Sequence, residues 1–240
     1  MRAFIQNAVS HLERRIEALG SSAADNLCDA IVSGYSYPLT KYQQAWPVDN
    51  CEHRQVGILY ADIADYARLT ELDEEGTHHR LVESMKIMEA HVSANCGRVA
   101  HFAGDAILAE FKDADNALNC AINVQLWDLQ RNASLNSDKR ILFRIGVNFG
   151  DVIDDQGDIF GNAVNLTARL EKLAYSGGIC VSESVRHRLK GHPSFKFVAM
   201  GKQYVKNVSE PVEAFWIEFN SEAIEQVDHS CATTLSEVVL

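Results

Sequence analysis

Two aspartates follow apolar segments and could bind a cation together. The apolar run at residues 56–59 leads to Asp62, which predicts a buried strand that ends with this carboxylate at the sheet edge. The pair Gly104 and Asp105 separates two further apolar runs, which predicts a tight hairpin turn with Asp105 at its tip. If the hairpin lies beside the first strand, the two carboxylates converge. Because like charges repel, such a pair is favourable when divalent cations lie between the carboxylates.

A second group of polar residues lies at residues 144–171. Asn165 and Arg169 are four residues apart, so they share one face of a helix, and Asp158 stands just before that helix. Each of these residues, like each aspartate, has an ordinary explanation when taken alone: a turn residue, a helix cap, or a surface cation paired with a nearby carboxylate. The presence of both groups in one chain favours a shared ligand site.

The elements that must position these residues occur in the order strand, helix, hairpin, helix, strand. This order predicts an α+β fold of the ferredoxin-like type, with a mixed antiparallel sheet, surrounding helices and further elements after the core. The strand that begins at residue 142 should end in a turn at residues 148–151, and the apolar face of the second helix should extend to Leu129. The predicted helices and later strands are at residues 73–96, 113–129, 161–174, 179–182, 195–200 and 212–219.

Three segments are predicted along the chain. Residues 1–54 form an N-terminal helix and an irregular connector, residues 55–219 a folded domain, and residues 220–240 a polar C-terminal tail. The first twenty residues carry apolar side chains three and four positions apart, a spacing typical of a helix with a coiled-coil-like seam. That helix either packs on its own domain or acts as a dimerisation arm.

The composition excludes some classes of function. A net charge of −11 argues against nucleic-acid binding, which depends on clustered Lys and Arg. An anionic ligand must therefore be held by metal ions and a few local cations. The six cysteines are scattered without a zinc-like grouping, as expected for reduced thiols. Neither a signal peptide nor an apolar run of membrane-spanning length is visible, so a cytoplasmic location is expected.

Three motifs together resemble a known family. Asp62 in YADI, Asp105 in AGDA and the run DIFGNAVNLTARLE resemble the class III nucleotidyl cyclases, the adenylate and guanylate cyclase catalytic domain, over residues 55–218. The resemblance implies that a nucleoside triphosphate is converted to a 3′,5′-cyclic nucleotide and pyrophosphate. It also implies two divalent cations, Mg²⁺ or Mn²⁺, held by Asp62, Asp105 and the backbone carbonyl of Ile63.

The resemblance assigns roles to the downstream polar residues. It implies that Asn165 orients the ribose and that Arg169 stabilises negative charge on the reacting phosphate. Lys206 matches the lysine that binds the triphosphate, with Lys202 as a second candidate. In this family the metal-binding aspartates of one subunit face the Asn and Arg of the other, which implies a head-to-tail homodimer with two equivalent sites.

The positions that contact the base depart from the family pattern. His101 and Asp158 occupy them, whereas adenylate cyclases usually have Lys and guanylate cyclases Glu at the position of His101. Asp158 fits the adenylate pattern, but a carboxylate accepts equally from the amino group of adenine or cytosine or from N3–H of uracil. Hydrogen bonding alone therefore leaves the base open.

Two hypotheses about the substrate follow, together with one alternative in which the protein binds a nucleotide without catalysis. With no recognisable sensor or membrane module, the chain is similar to the stand-alone pyrimidine cyclases of bacterial Pycsar anti-phage systems, which make cyclic UMP or cyclic CMP for a separate effector. This is the leading hypothesis, and an adenylate cyclase with His101 in place of Lys is the second. A catalytically silent nucleotide-binding module would be expected to lack one of the four residues Asp62, Asp105, Asn165 and Arg169.

Overall fold

The structure is a computed structural model in which residues 52–155, 157–189, 195–204 and 211–219 are described. The predicted N-terminal helix, the connector up to residue 51, the C-terminal tail and Lys206 lie outside these residues, whereas residues 52–54 of the predicted connector belong to the first strand. The division into residues 1–54, 55–219 and 220–240 therefore stays a prediction. No helix in the described part of the chain is long and apolar enough to cross a membrane.

A mixed sheet forms the centre of the fold. Its strands, in chain order, are β1 Glu52–Ile63, β2 Gly97–Ala103, β3 Ala106–Phe111, β4 Phe143–Asp155, β5 Asp158–Phe160, β6 Ile179–Ser182, β7 Phe195–Gln203 and β8 Val212–Phe219. Across the sheet the order is β2-β3-β1-β4-β6-β8-β7, and β5 pairs with β4. The pair β4 and β6 is parallel, whereas the other strand pairs in the described residues are antiparallel.

Helices cover both faces of this sheet. They are α1 Tyr66–Leu72, α2 Glu74–Ala94, α3 Ala114–Ala133, α4 Asn162–Leu173 and α5 Glu183–Arg188, with a 3₁₀ turn at Ser137–Lys139. Side chains alternate along β1, so Leu59 faces one side and packs in one cluster with Val92 of α2 and Leu118 of α3. Ile58 faces the other side, in a cluster that includes Ala163 of α4. Each face of the central strands is thus buried by its own helix layer.

The predicted α+β architecture is confirmed, including the strand–helix–hairpin–helix–strand order. The hairpin turn at Gly104 and Asp105 joins β2 to β3, and Gly104 has a φ of 68° that favours glycine. Asp113 caps α3 as predicted, because its carboxylate accepts a hydrogen bond of 2.9 Å from the N–H of Asn116. Local chemistry in the sequence therefore defines these elements correctly.

Two predictions about the elements are wrong. The turn at residues 148–151 does not exist, because β4 continues to Asp155 and pairs with β1 along that whole stretch, with Asn148 opposite Ile58 and Gly150 opposite Val56. Leu129 is 57% exposed and does not belong to the buried face of α3. The pattern of apolar and polar residues in the sequence also gave no indication of the short elements β5 and α5.

A row of buried polar side chains on α3 anchors the start of β4. Gln125 Nε2 donates to the carbonyl of Phe143 at 3.0 Å and to that of Gly178 at 3.1 Å. Asn132 Nδ2 donates to the carbonyl of Ile141 at 2.7 Å. Between them Asp128 is 1% exposed, and its carboxylate lies 3.3 Å from the guanidinium of Arg131. These contacts fix the strand that delivers Arg144 to the site described below.

The buried carboxyl of Asp128 makes folding stability depend on pH. Burial raises the pKa of Asp128 to about 7, although the charge of Arg131 and a backbone hydrogen bond from Phe143 act in the opposite direction. The folded state therefore binds more protons than the unfolded state between the two pKa values. This contribution to stability is fully present below the unfolded pKa and is lost as the pH rises through the folded pKa near 7.

We expect Asp128→Asn to remove this dependence. Urea unfolding at about pH 5 and about pH 8 should show a smaller loss of stability with rising pH in the variant than in the wild-type protein. Asp138→Asn, at an exposed position, is the matched control and should keep the wild-type pH dependence. Equal pH dependence in all three proteins would contradict a protonated Asp128 in the folded state.

Candidate active site

The two predicted metal-binding aspartates converge. In the register of β1 and β3, Asp62 is paired with Ala106, the residue that follows Asp105 at the hairpin tip. Burial raises the pKa of Asp105, and the negative charge of Asp62 raises it further. The carboxylates are therefore close enough for each to affect the ionisation of the other, as the sequence predicted.

Two cations compensate the charge of Asp62. Asp62 Oδ2 lies 3.0 Å from Arg144 Nη2 and 2.8 Å from Lys172 Nζ. Burial opposes ionisation of Asp62, but hydrogen bonds from Lys172 and Arg144 hold its pKa below the usual range. Asp62 is therefore ionised at neutral pH, which is the state that a metal ligand requires.

A third carboxylate belongs to the same cluster. Glu171 on α4 is fully buried; its Oε1 accepts a hydrogen bond from Arg144 Nε at 2.9 Å, and its Oε2 forms an ion pair with Lys172 Nζ at 3.0 Å. Burial raises the pKa of Glu171, and the ammonium of Lys172 counteracts this. The planar guanidinium of Arg144 thus joins Asp62 to Glu171 with two different nitrogens, a geometry that lysine could not reproduce.

A glycine permits this arrangement. A Cβ at Gly146 of β4 would lie 2.4 Å from the carbonyl oxygen of Thr167 and 2.5 Å from the nitrogen of Glu171. Only glycine allows the backbone of α4 to approach β4 so closely. This approach brings Glu171 and Lys172 to the aspartate at the end of β1.

The donor set fits a cation that shares its coordination with a phosphate ligand. In the described residues no group of three or more His, Cys, Asp or Glu side chains could hold a metal ion by itself. Mg²⁺ and similar ions are commonly bound by one or two carboxylates, with water and substrate phosphates completing the shell. Asp62 and Asp105 match this type of incomplete protein site. The carbonyl of Ile63 as a third ligand stays a prediction.

The two residues predicted to contact a base lie together. His101 on β2 and Asp158 on β5 are 57 residues apart in sequence, and His101 Nδ1 lies 2.8 Å from Asp158 Oδ1. The same oxygen of Asp158 accepts a hydrogen bond of 2.8 Å from the N–H of Ile159. Both side chains are partly exposed, at 41% and 31%, so their remaining polar atoms are accessible to a ligand.

Asn165 and Arg169 lie on α4 but are not joined to the aspartates. Asn165 is exposed and Arg169 is half-buried. Within the described ranges, neither side chain forms a hydrogen bond or an ion pair, whereas Lys172, from the next turn of the same helix, contacts Asp62. The structure therefore shows these two polar side chains on the helix surface, available to a ligand or to another chain.

Lys202 is the triphosphate-binding candidate that the described residues include. It lies on β7 and lines a cavity of about 510 Å³ together with the first turns of α4 and the start of β8. Asn162, Ala163 and Leu166 contribute the α4 wall. A cation at this position faces the helix that carries Asn165 and Arg169, while Lys206 is outside the described residues.

Comparison with known proteins identifies the family. Residues 48–219 match the family described as the adenylate and guanylate cyclase catalytic domain. This chain belongs to that family. It is 38% identical over 165 residues to putative adenylate cyclase 3 of Rhizobium meliloti, an alignment that covers 68% of this chain and 28% of the relative. It is 29% identical over 147 residues to an adenylate cyclase of Streptomyces coelicolor, covering 61% of this chain and 37% of that protein.

Solved structures confirm the cyclase-domain fold. An adenylate/guanylate cyclase/hydrolase from Silicibacter pomeroyi superimposes with a TM-score of 0.64 at 35% identity, over 71% of this chain and 99% of that one. The adenylyl cyclase CyaB from P. aeruginosa has the same fold, with a TM-score of 0.62 at 22% identity, over 72% of this chain and 98% of that one. This chain spans less than half the length of the curated relatives it matches.

The cyclase domain contains a charge network that the motifs did not indicate. Arg98 of β2 donates to the carbonyl of Gly157 and, at 3.0 Å, to Glu110 of β3. Arg54 of β1 bridges Glu110 and Asp154 of β4. Glu110, at 8% exposed, is the buried centre of this network, whereas Arg54, Arg98 and Asp154 are partly exposed. It holds the turn between β4 and β5 against β2, and thereby influences the separation of His101 and Asp158, the two residues predicted to contact a base.

The ion pair between Arg144 and Glu171 can be measured as a coupling energy. Arg144→Met should lower the free energy of unfolding of the cyclase domain by about 2 kcal/mol, because the buried Glu171 keeps only Lys172 as a partner. In a Glu171→Gln background the same change should cost less, since the neutral amide no longer needs a counter-ion. Urea unfolding of the wild-type protein, the two single variants and the double variant gives the double-mutant cycle for this pair.

Arg68→Met, at an exposed position of α1, is the control for loss of an arginine and should leave stability nearly unchanged. An equal cost of Arg144→Met in both backgrounds would show that the pair contributes no coupling.

Proposed function

We propose that this domain is a class III nucleotidyl cyclase that uses two divalent cations, Mg²⁺ or Mn²⁺. The observation that carries the proposal is the convergence of Asp62 and Asp105 at the end of β1, in a chain that also retains Asn165 and Arg169. A nucleoside triphosphate supplies the phosphate oxygens that this incomplete protein site leaves to other ligands. The retention of all four residues argues against a catalytically silent module.

The reaction is an intramolecular displacement. The ribose 3′-oxygen forms a bond to the α-phosphorus, the bond from that phosphorus to the α,β-bridging oxygen breaks, pyrophosphate leaves, and the hydroxyl proton is released. Bound divalent cations lower the pKa of the 3′-hydroxyl and neutralise the phosphates.

The side chains of this domain position the triphosphate for that displacement. Asp62 and Asp105 hold the cations. Arg169 donates to the oxygens on which negative charge accumulates, and Asn165 orients the ribose. Lys202 or Lys206 binds the triphosphate.

We propose that the sites form in a head-to-tail homodimer. In the described residues, α4 directs Lys172 to Asp62, while Asn165 and Arg169 have no hydrogen bond or ion pair. A second copy of the chain would bring these residues to the aspartates, and a two-fold axis would create two equivalent sites. The N-terminal helix as a dimerisation arm, a cytoplasmic location and a separate downstream effector stay predictions.

Adenine is the first candidate for the base. Asp158 accepts from the amino group N6, and Nε2 of His101, the ring nitrogen not directed to Asp158, contacts N1 of adenine. The relatives from Rhizobium meliloti and Streptomyces coelicolor are named adenylate cyclases, which supports ATP as the substrate.

A pyrimidine base is the second candidate, because His101 replaces the Lys that adenylate cyclases usually have and the pair of His101 and Asp158 admits a pyrimidine. Cytosine presents an amino group and a ring acceptor in the same relative positions as adenine, so the pair of His101 and Asp158 could bind either base. Cyclic UMP or cyclic CMP would be the product. The anti-phage role predicted from the sequence depends on this second candidate.

A product assay tests the proposed function. Purified protein is incubated with ATP, GTP, CTP or UTP in Mn²⁺ or Mg²⁺, and products are identified by mass, with Asp62→Asn as the inactive control. Cyclic AMP as the main product supports the first candidate, and cyclic CMP or cyclic UMP the second. Absence of every cyclic product in both metals would overturn the cyclase assignment.

Complementation tests the dimer. Arg169→Ala should lower turnover by about a hundredfold with little change in KM, because its contact strengthens in the transition state. Mixing this variant with Asp62→Asn should restore activity to about one quarter of the wild-type value, since half of the dimers are mixed and each has one intact site. A mixture that stays inactive, although it forms mixed dimers on a tagged column, would contradict sites shared between chains.

A further inference from the structure

One ion pair in the site has no part in the proposed reaction. Lys172 Nζ lies 2.8 Å from Asp62 Oδ2, which is the same oxygen that Arg144 contacts at 3.0 Å. Lys172 therefore places a positive charge directly on a proposed metal ligand. A divalent cation that binds Asp62 must share this oxygen with Lys172 or displace its ammonium group.

We propose that Lys172 competes with the divalent cation for Asp62 and thereby sets the cation concentration at which the site fills. The inference rests on the proposed function, because it takes Asp62 as a metal ligand. It assigns to Lys172 a role in metal loading that is separate from the steps of cyclisation.

The surroundings allow Lys172 to leave Asp62. Its side chain is 53% exposed, and a lysine ammonium is a point charge on a flexible stem. Glu171 Oε2, at 3.0 Å, offers a second carboxylate that can retain the ammonium after it leaves Asp62. Arg144 is less free to move, because its Nε is held by the fully buried Glu171. Lys172 is therefore the partner of Asp62 that can exchange with a metal ion.

The charge balance gives the direction and size of the effect. The three carboxylates Asp62, Asp105 and Glu171 and the two cations Arg144 and Lys172 carry a formal net charge of −1. Replacing Lys172 with methionine makes this −2 and keeps an unbranched side chain that is one atom shorter. The added negative charge and the loss of the competing ammonium group both favour a cation at Asp62, and we expect Mn²⁺ to bind about tenfold more tightly to the variant.

Direct binding of Mn²⁺ tests the inference. The full-length wild-type protein, Lys172→Met, Lys172→Arg and Asp62→Asn are titrated with Mn²⁺ alone, and free Mn²⁺ is measured by electron paramagnetic resonance. Lys172→Met should lower the Kd about tenfold, Lys172→Arg should remain within about twofold of the wild-type value, and Asp62→Asn should lose the site. Lys86→Met, which removes an exposed lysine of α2, controls for net charge and should leave the Kd unchanged.

The outcomes separate this inference from the proposed function. Competition is overturned if Lys172→Met binds Mn²⁺ no more tightly than the wild-type protein, or no more tightly than Lys86→Met. In that case, a Lys172→Met protein that still forms a cyclic nucleotide leaves the cyclase assignment standing. If the wild-type protein forms no cyclic nucleotide, the proposed function is overturned instead, whatever the Mn²⁺ affinities are.

Discussion

The structure depends on how the repulsion between Asp62 and Asp105 is balanced. The register of β1 and β3 forces the two carboxylates together, and neither strand can shift without moving its apolar residues to the wrong face of the sheet. The protein supplies Arg144 and Lys172 to Asp62, and the buried Glu171 holds Arg144 in place and pairs with the more exposed Lys172. The cluster keeps a formal negative charge after these ion pairs are counted, so it can accept further positive charge. That property distinguishes a site that binds cations from an ion-pair network that only stabilises the fold.

The helix α4 connects this charge balance to the rest of the proposed chemistry. It can deliver Glu171 and Lys172 only because Gly146 lets its backbone lie against β4. The same helix presents Asn165 and Arg169 on its surface, where no hydrogen bond or ion pair holds them within the described ranges. The last turn of α4 thus contacts Asp62 of its own chain, whereas Asn165 and Arg169 in the preceding turns are available to a second chain. A shift of α4 would therefore disturb the proposed cation site and the proposed shared site together.

The sequence predicted what depends on local chemistry. Asp62 at the end of a strand, the turn at Gly104 and Asp105 and the cap at Asp113 follow from residue types within a few positions. The predicted turn at residues 148–151 was wrong because pairing with β1, a contact between distant segments, overrides the local preference of Asn, Gly and Asp for turns. Arg144 and Lys172 were not singled out, because they are 82 and 110 residues from Asp62 and meet it only through the sheet register and the path of α4. The positive charges of Arg144 and Lys172 were visible in the sequence, but their contacts with Asp62 were not.

The pair of His101 and Asp158 shows why the departure from lysine does not by itself choose a base. With Nδ1 directed at Asp158, only Nε2 of His101 is left for the ligand. A protonated ring offers a donor there, which suits N1 of adenine or N3 of cytosine, whereas a neutral ring with its proton on Nδ1 offers an acceptor, which suits N3–H of uracil. Lysine has donors alone and cannot make this choice. Hydrogen bonds from this pair to the proposed base therefore cannot separate adenine from cytosine. Discrimination between these bases must come from the space between β2 and β5, which Arg98 sets through its contacts with Glu110 and the carbonyl of Gly157.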